Sequence, residues 1–370
     1  MNKIVCIAND FWVDSDEKWG LNLLRENGYE LELWRVGGVT LNFSIFEKLE
    51  FRYPVKTIKT WQEYYFLLMH QHMKKTIFLF YGRHVSLNPS MAVICLLGGK
   101  YCVIEWTSAN NTRYAILNER KVRGIEKHWM DHFLPTYSFL GSKHNMLTMN
   151  SNFQIQHGNN VFLHTYDYDV FLKNKYYGNT GLDIDITQPY ILFIDQNFFD
   201  HKEQVNLSLK KWIPDEAQFI LEMKRFLDEV ERQFQIPVVI AAHPVTCKRI
   251  KEIYGDRQIV YGNTCGYTAN AEFVITSSSG AMGFAVMYKK PLLLYNNYQL
   301  KRNFFYMELQ MPKARILNAR IVNISNGVNS VDLKEYITDP NGKEYLEYIT
   351  ADAGNTELFM VTVLRYLNTL

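Results

Sequence analysis

The sequence predicts an α/β protein made of two Rossmann-like domains that face each other across a cleft. Short apolar runs alternate with helical patterns through both halves of the chain, which is typical of a mostly parallel sheet covered on both faces. A segment rich in Gly, Thr, Asp and Pro at residues 178–189 separates the halves. We therefore predict domains at residues 1–180 and 189–370, and we expect the last helix to pack back on the first domain.

The N-terminal half opens with a strand, a helix and a second strand, and this alternation then recurs. The predicted strands are residues 3–8, 29–34, 76–81, 101–105 and 161–164, and the predicted helices are residues 16–25, 61–75, 91–97 and 168–175. Residues 113–144 are basic and aromatic without clean periodicity, so they are assigned to helices and loops.

The C-terminal half shows the same alternation more clearly. Its predicted strands are residues 190–194, 238–242, 258–261, 272–276 and 292–295, and its predicted helices are residues 214–234, 248–254, 281–288 and 356–367. The longest helix opens on Pro214, Asp215 and Glu216, residues that suit the first turn of a helix and its dipole.

Charge and cysteine usage exclude several classes of protein. The formal charge of +2 argues against a protein that neutralises many nucleic-acid phosphates, but it allows a small anionic ligand. The five cysteines have no zinc-type spacing, which favours free thiols in a reducing compartment. The sequence has no signal-type segment and no apolar run of about 18–20 residues. We predict a cytoplasmic protein and leave open peripheral contact with the inner face of the cytoplasmic membrane.

Polar residues follow three apolar strands of the C-terminal half. In an open parallel sheet, ligands bind beyond the carboxyl ends of the strands. The candidate binding residues are Asp195, Gln196, His243, Pro244, Ser277, Ser278, Ser279 and Gly280. Three hydroxyls and a glycine before a helix are typical of a phosphate site, because free N–H groups and the helix dipole attract anions. The structural alternative for this segment is a helix N-cap with additional serines.

His243 and Asp195 are the catalytic candidates of this half. Pro244 fixes the turn after His243, whose imidazole could donate to a phosphate oxygen or protonate a leaving group. The alternative is a loop histidine bonded to a neighbouring carbonyl. Asp195 could act as a base or orient a sugar hydroxyl, or it could cap its own backbone in a turn.

Metal, nicotinamide and P-loop chemistry have little support in the sequence. Asp-x-Asp strings begin at Asp14, Asp167 and Asp183, but they fall in helical or linker contexts and such strings arise by chance among 38 acidic residues. GxGxxG, GxxxxGK[ST] and GxSxG motifs are absent from the sequence. We predict no metal and no cofactor, with a nucleotide sugar bound as substrate.

Residues 195–295 resemble bacterial GT-B glycosyltransferases that build surface polysaccharides such as capsule and lipopolysaccharide. The resemblance lies in ILFIDQ at 191–196, VVIAAHP at 238–244 and EFVITSSSGAMGFAVMYKKPLLLY at 272–295, about a third of the chain. The His-Pro pair and the later serines are also similar to two motifs of bacterial sialyltransferases and Kdo-type transferases. That similarity implies that His243 contacts the donor phosphate and acts as general acid, while the three serines hold the phosphate.

The resemblance implies displacement at the anomeric carbon of a nucleotide sugar by a glycan or lipid-linked glycan acceptor. CMP is the favoured donor nucleotide, and UDP or GDP stays open because the acidic-acidic-Gly motif of sialyltransferases is absent. The base is expected from the N-terminal domain. Candidates at its strand ends are Asp10, His84 and Glu105, with Asp10 preferred, and Lys301 and Arg302 are candidates for charge stabilisation.

Two other functions remain open at this stage. A UDP-sugar 2-epimerase or hydrolase would share the architecture and would act on a nucleotide sugar without an acceptor. A non-catalytic nucleotide- or carbohydrate-binding protein would bind without turnover.

Overall fold

The computed structural model divides the chain into two compact units, Met1–Tyr166 with Thr350–Leu370, and Asp167–Ile349. The structure describes residues 3–9, 11, 16–40, 53–81, 88–105, 133–142, 159–178, 188–199, 213–244, 249–340, 342–347 and 356–370. Among these residues, no helix has both the length and the apolar character needed to cross a bilayer.

The first unit is built on a parallel sheet with the strand order β3-β2-β1-β4-β5-β6-β7. The strands are β1 Lys3–Ala8, β2 Glu30–Arg35, β3 Val55–Thr57, β4 Thr76–Tyr81, β5 Lys100–Glu105, β6 Tyr137–Gly141 and β7 Asn160–Leu163. All six residues of β4 are buried, because helices cover both faces of a doubly wound sheet. The order reverses between β1 and β4.

The helices of the first unit are α1 Asp16–Trp19, α2 Leu21–Glu26, α3 Gly37–Thr40, α4 Trp61–Met69 and α5 Asn88–Leu96. The chain returns at its C-terminus to add a last helix, Phe359–Leu367, to the same core. Gly20 allows this close packing. It has a φ of +64°, and a Cβ atom there would lie 2.6 Å from Met360 Cε.

The second unit has a sheet with the strand order β10-β9-β8-β11-β12-β13, and β14 pairs antiparallel with β12. The strands are β8 Ile191–Ile194, β9 Val238–Ala241, β10 Ile259–Val260, β11 Val274–Thr276, β12 Leu292–Asn296, β13 Ile321–Asn323 and β14 Ile337–Thr338. The order reverses between β8 and β11, so the topological switch point of this sheet lies between those two strands.

The helices of the second unit are α6 Tyr166–Tyr177, α7 Glu216–Phe234, α8 Ile250–Tyr254, α9 Thr264–Asn270, α10 Met282–Met287, α11 Tyr298–Lys301, α12 Phe304–Ile316 and α13 Gly342–Glu347. The C-terminal helix of the first unit, Phe359–Leu367, is α14. Asp215 caps α7 by accepting from the backbone N–H of Gln218 at 3.0 Å.

Helix α6 lies with the second unit, although the sequence places the first domain at residues 1–180. Phe171 and Leu172 of α6 pack with Cys265 and Phe284 in a small core of the second unit. This apolar packing draws the division of the chain to residue 166, ahead of the Gly- and Pro-containing segment at 178–189. The strands β3, β6, β13 and β14 and the helices α3, α9, α11, α12 and α13 were not predicted from the sequence. The strand β6 lies within residues 113–144, where the sequence predicted only helices and loops.

Candidate functional site

The candidate site lies at the carboxyl edge of the second sheet. Asp195 and Gln196 follow β8, His243 follows β9, and residues 277–280, here named the serine loop, follow β11. Because β8 and β11 are neighbours on either side of the switch point, the residues after them are brought together at the position where an open α/β sheet binds its ligands.

Gln196 joins the two strand ends that flank the switch point. Its Nε2 donates to Ser278 Oγ at 3.1 Å, and its Oε1 accepts from the backbone N–H of Ser278 at 2.8 Å. One side chain after β8 thereby fixes both the backbone and the hydroxyl of a residue after β11. The pair of bonds sets the conformation of the serine loop relative to β8.

Asp195 organises the neighbouring strand end. Its carboxylate is 4% exposed and accepts from the backbone N–H of Asn197 at 3.0 Å and from Tyr254 Oη at 2.8 Å. Its second oxygen accepts from the backbone N–H of His243 at 3.3 Å. The bond to Asn197 is the turn-capping bond that the sequence left as the structural alternative. The geometry favours a carboxylate that positions the backbone of His243 over one that receives a substrate proton.

Ser277 is buried within the protein. Its Oγ donates to the carbonyl oxygen of Tyr295 at 2.6 Å, which links the ends of β11 and β12. Gln310 of α12 donates from Nε2 to the carbonyl oxygen and to Oγ of Ser277, both at 3.1 Å. The hydroxyl of Ser277 is therefore used to hold the loop in place.

Lys313, one turn after Gln310 on α12, contacts the next peptide group of the loop. Its side chain is buried, with 3% exposure, and Nζ donates to the carbonyl oxygen of Ser278 at 2.5 Å. Burial lowers the pKa of the Lys313 ammonium to about 7, although the negative charge of Asp167 acts in the opposite direction. A buried cation thus lies directly behind the serine loop.

The outer half of the serine loop presents unused donors. Ser279 Oγ accepts from the backbone N–H of Ala281 at 3.2 Å, and the first amides of α10 bond back to carbonyls of residues 279–281. Among the described residues, the N–H groups of Ser279 and Gly280 have no acceptor. Both residues are half-buried. Because α10 has only six residues, these two amides rather than a long helix dipole supply the attraction for an anion.

His243 is half-buried and Pro244 after it is exposed. The backbone of His243 is fixed by Asp195, which places its side chain at the same edge of the sheet as the serine loop. Residues 245–248 lie outside the described residues.

Gln310 and Lys313 were missed by the sequence analysis. They lie 33 and 35 residues from the serines they contact, and Pro312 between them is a residue that normally ends a helix. A usable signal was the spacing of Tyr306, Gln310, Lys313 and Leu317, which share one buried helix face.

The other predicted candidates are not brought to this edge by any described contact. Asp10 and His84 lie outside the described residues, and Glu105 ends β5 with its side chain outside them. Lys301 and Arg302 are exposed at the end of α11. Asp167 and Asp169 occupy the first turn of α6, and the described residues contain no cluster suited to a metal ion.

Comparison with known proteins identifies the fold. No protein-family description and no curated protein matches this sequence. The structure of S. aureus MnaA with UDP is similar at a TM-score of 0.55 and 15% identity, covering 100% of this chain and 98% of that one. A UDP-GlcNAc 2-epimerase from Methanocaldococcus jannaschii, solved with UDP-GlcNAc and UDP, is similar at 0.53 and 14% identity, covering 98% and 99%.

A third structure, the UDP-GlcNAc 2-epimerase from Neisseria meningitidis bound to UDP-GlcNAc, is similar at a TM-score of 0.50 and 12% identity, covering 99% of this chain and 100% of that one. Structural similarity at 12–15% sequence identity shows that the fold is shared and shows nothing further. The prediction of an α/β protein with two Rossmann-like domains of the GT-B kind is confirmed.

Proposed function

We propose that this chain is a nucleotide-sugar enzyme whose second unit binds the diphosphate of its substrate at the serine loop. The observation that carries the proposal is the pair of unused amides at Ser279 and Gly280, held beside the switch point of a parallel sheet. Successive backbone N–H groups in a turn are a common way to bind phosphate oxygens. The clamp from Gln196 to Ser278 pre-organises them, which reduces the entropy lost on binding.

We assign a distinct role to each residue at this edge. The amides of Ser279 and Gly280 and the hydroxyl of Ser278 bind phosphate oxygens, and the imidazole of His243 donates to the leaving phosphate. Asp195 and Ser277 hold the strand ends in position and do not contact the substrate, because their polar atoms are occupied within the protein. These assignments keep the donor site that the sequence predicted. They change the role of Asp195 from a catalytic base or sugar ligand to a residue that positions the backbone.

UDP replaces CMP as the donor nucleotide in this proposal. The ligands bound in the three similar structures are UDP and UDP-GlcNAc, and those proteins share this fold over nearly their whole length. Fold similarity supports UDP as the first nucleotide to test, with CMP and GDP as the competing outcomes.

Glycosyl transfer is the reaction we propose, with a glycan acceptor of bacterial surface polysaccharide synthesis. A metal-independent mechanism suits a site built from amides, hydroxyls and an imidazole, which stabilise the leaving diphosphate electrostatically. The base that deprotonates the acceptor hydroxyl is expected from the first unit, where Asp10 is the preferred residue. Peripheral association with the cytoplasmic membrane belongs to the same proposal, since lipid-linked acceptors reside there.

A UDP-sugar 2-epimerase is the second candidate. The observation that favours it is the full-length similarity to structures of UDP-GlcNAc 2-epimerases at TM-scores of 0.50 to 0.53. This reaction needs no acceptor. It would interconvert two sugar epimers while the sugar stays attached to its nucleotide, or release UDP through a hydrolytic side reaction.

A two-step experiment tests these proposals. Isothermal titration calorimetry of the purified full chain against UDP, CMP, GDP and ADP, with and without magnesium, identifies the nucleotide; we expect UDP to bind without magnesium. Proton NMR of UDP-GlcNAc incubated with the protein then detects a C2 epimer or free UDP in the absence of an acceptor. If UDP-GlcNAc stays intact alone and is consumed only after a glycan acceptor is added, glycosyl transfer is supported. If an epimer forms without an acceptor, the second candidate is supported. If the protein binds none of these nucleotides, both candidate functions are contradicted.

A further inference from the structure

Helix α12 holds two consecutive peptide groups of the serine loop from behind. Gln310 donates to the carbonyl oxygen of Ser277, and Lys313 donates to the carbonyl oxygen of Ser278. The two side chains lie three residues apart on one helix face, so a single rigid element sets the orientation of both peptides.

Because the peptide group is planar, these two hydrogen bonds also fix the direction of the N–H groups in the serine loop. The peptide bonds are trans, and in a planar trans peptide the C=O group and the following N–H group point in opposite directions. The peptide between Ser277 and Ser278 illustrates this, because its carbonyl faces Gln310 while its N–H reaches Gln196 on the other side. The next peptide, whose carbonyl faces Lys313, therefore directs the Ser279 N–H away from α12.

The charge on Lys313 adds to this orientation. A cation that donates to a carbonyl polarises the peptide and makes its N–H group a stronger donor. Among the described residues, Lys313 forms no ion pair, so its charge is not neutralised by a carboxylate in contact. Retaining a lysine here costs free energy of desolvation, since an apolar side chain could fill the same buried position.

We propose that Lys313 is a positioning residue for phosphate binding, which aims and polarises the Ser279 amide through the carbonyl group of Ser278. This inference rests on the proposed function of the serine loop. Lys313 would act through the backbone of the serine loop and would not contact the nucleotide.

Proton loss from Lys313 supplies a readout that a purely structural lysine would not give. With a pKa near 7, the ammonium becomes neutral within an accessible pH range, and the polarisation of the peptide weakens with it. Asp167 of α6 is the charged group that acts on Lys313 among the described residues. Cys265 and Tyr345, which feel the same carboxylate, stay neutral because burial raises the pKa of Cys265 to about 12 and that of Tyr345 further.

The test is isothermal titration calorimetry of UDP with the full-length wild type and Lys313→Met at pH 6.5 and 8.5. Met fills a similar volume without charge, and Arg315→Met is the matched control, because it removes a positive charge from an exposed position of the same helix. We expect Lys313→Met to lower UDP affinity about tenfold at pH 6.5, and the wild type to lose about tenfold between the two pH values. Lys313→Met should show little of this decline, and Arg315→Met should follow the wild type.

Equal UDP affinity and equal pH dependence in the wild type and Lys313→Met would overturn the inference and leave the proposed function intact. Absence of UDP binding to the wild type would instead count against the proposed function. A second measurement then still decides the inference without any nucleotide. The amide proton of Ser279, followed by NMR in serine-labelled protein, should titrate near pH 7 in the wild type and not in Lys313→Met; a titration present in both or absent from both contradicts it.

Discussion

The two edges of the second sheet use buried cations in opposite ways. At the amino edge, the Arg257 side chain is 11% exposed, and its guanidinium pairs with Asp228 at 2.5 Å and Glu231 at 2.7 Å. At the carboxyl edge, Lys313 is more deeply buried and donates to the carbonyl oxygen of Ser278. The first cation is neutralised by carboxylates in contact, whereas the second leaves its charge behind a loop with unused amides.

This contrast separates a structural edge from a candidate binding edge. The amino edge also contains a cavity of about 460 Å³, lined by residues that include Gln188, Tyr190, Glu231 and Arg257. Glu231 and Arg257 pair with each other there, and Glu231 also accepts from the backbone N–H of Val238 at 3.0 Å. An anion would have to displace a carboxylate there, while at the serine loop it would meet donors that have no acceptor among the described residues. We therefore place the candidate site at the unused hydrogen-bond donors and not at this cavity.

The largest expected effect is a pH-dependent difference in stability between the wild type and Lys313→Met. The pKa of a lysine is about 10.5 in the unfolded chain, and burial lowers that of Lys313 to about 7 in the folded one, so between these values the unfolded chain binds more protons. Raising the pH therefore favours the folded wild type, and the cost of the buried charge is fully present only below about pH 7. From pH 6 to 9 the free energy of unfolding should rise by about 3 kcal/mol relative to Lys313→Met.

Urea unfolding of both proteins at pH 6 and pH 9 measures this difference, and the comparison cancels the titration of other groups. Arg315→Met should behave as the wild type does. A difference between wild type and Lys313→Met that is the same at both pH values would show that Lys313 titrates normally and would remove the contrast with Arg257.

Breaking the clamp at the carboxyl edge comes next in size. Gln196→Leu removes two hydrogen bonds and leaves the N–H of Ser278 without its acceptor, which should cost about 1–3 kcal/mol of stability. The released loop should bind UDP about a hundredfold more weakly, or about 2.7 kcal/mol. The matched control is Gln188→Leu, an exposed glutamine at the amino edge. Calorimetric titration that gives the same UDP affinity for both variants would argue against the clamp.

Much of this arrangement could be predicted from the sequence. Continuous apolar runs at β8 and β9, followed at once by polar residues, identified two buried parallel strands and the carboxyl edge that is the candidate site. The serine loop was found for the same reason. The hydrogen bonds from α12 to the serine loop could not be predicted, because Pro312 is a residue that normally ends a helix and because contacts over 33 residues leave no local pattern in the sequence. The unit boundary before α6 depends on packing of Phe171 and was equally hidden.

Disrupting the amino edge should lower stability without the loss of UDP affinity that we expect from disrupting the clamp. Arg257→Leu removes a cation shared by Asp228 and Glu231, and leaves Glu231 partly buried without its partner. We expect a loss of about 2 kcal/mol in the free energy of unfolding, in the range for partly buried ion pairs. UDP affinity should stay within about twofold of the wild type. Urea unfolding and calorimetry of the same sample check both, and a large loss of UDP affinity would mean that the two edges are coupled.

Single truncations at the carboxyl edge have the smallest expected effects. Ser278→Ala and His243→Ala should each weaken UDP binding or turnover by about tenfold, or about 1.4 kcal/mol, while the melting temperature changes little. Pro244→Ala is a suitable control for the second variant, since Pro244 is exposed. Unchanged UDP affinity and turnover in both variants would move the phosphate site away from this edge.

We propose above that the amides of the serine loop bind the phosphates of a nucleotide. The direct measurement is NMR of full-length protein labelled with ¹⁵N-serine and ¹⁵N-glycine, titrated with UDP. We expect the Ser279 and Gly280 amide resonances to shift downfield as UDP binds, and uridine without phosphates to leave them unchanged. UDP binding that saturates by calorimetry without moving either resonance would contradict it.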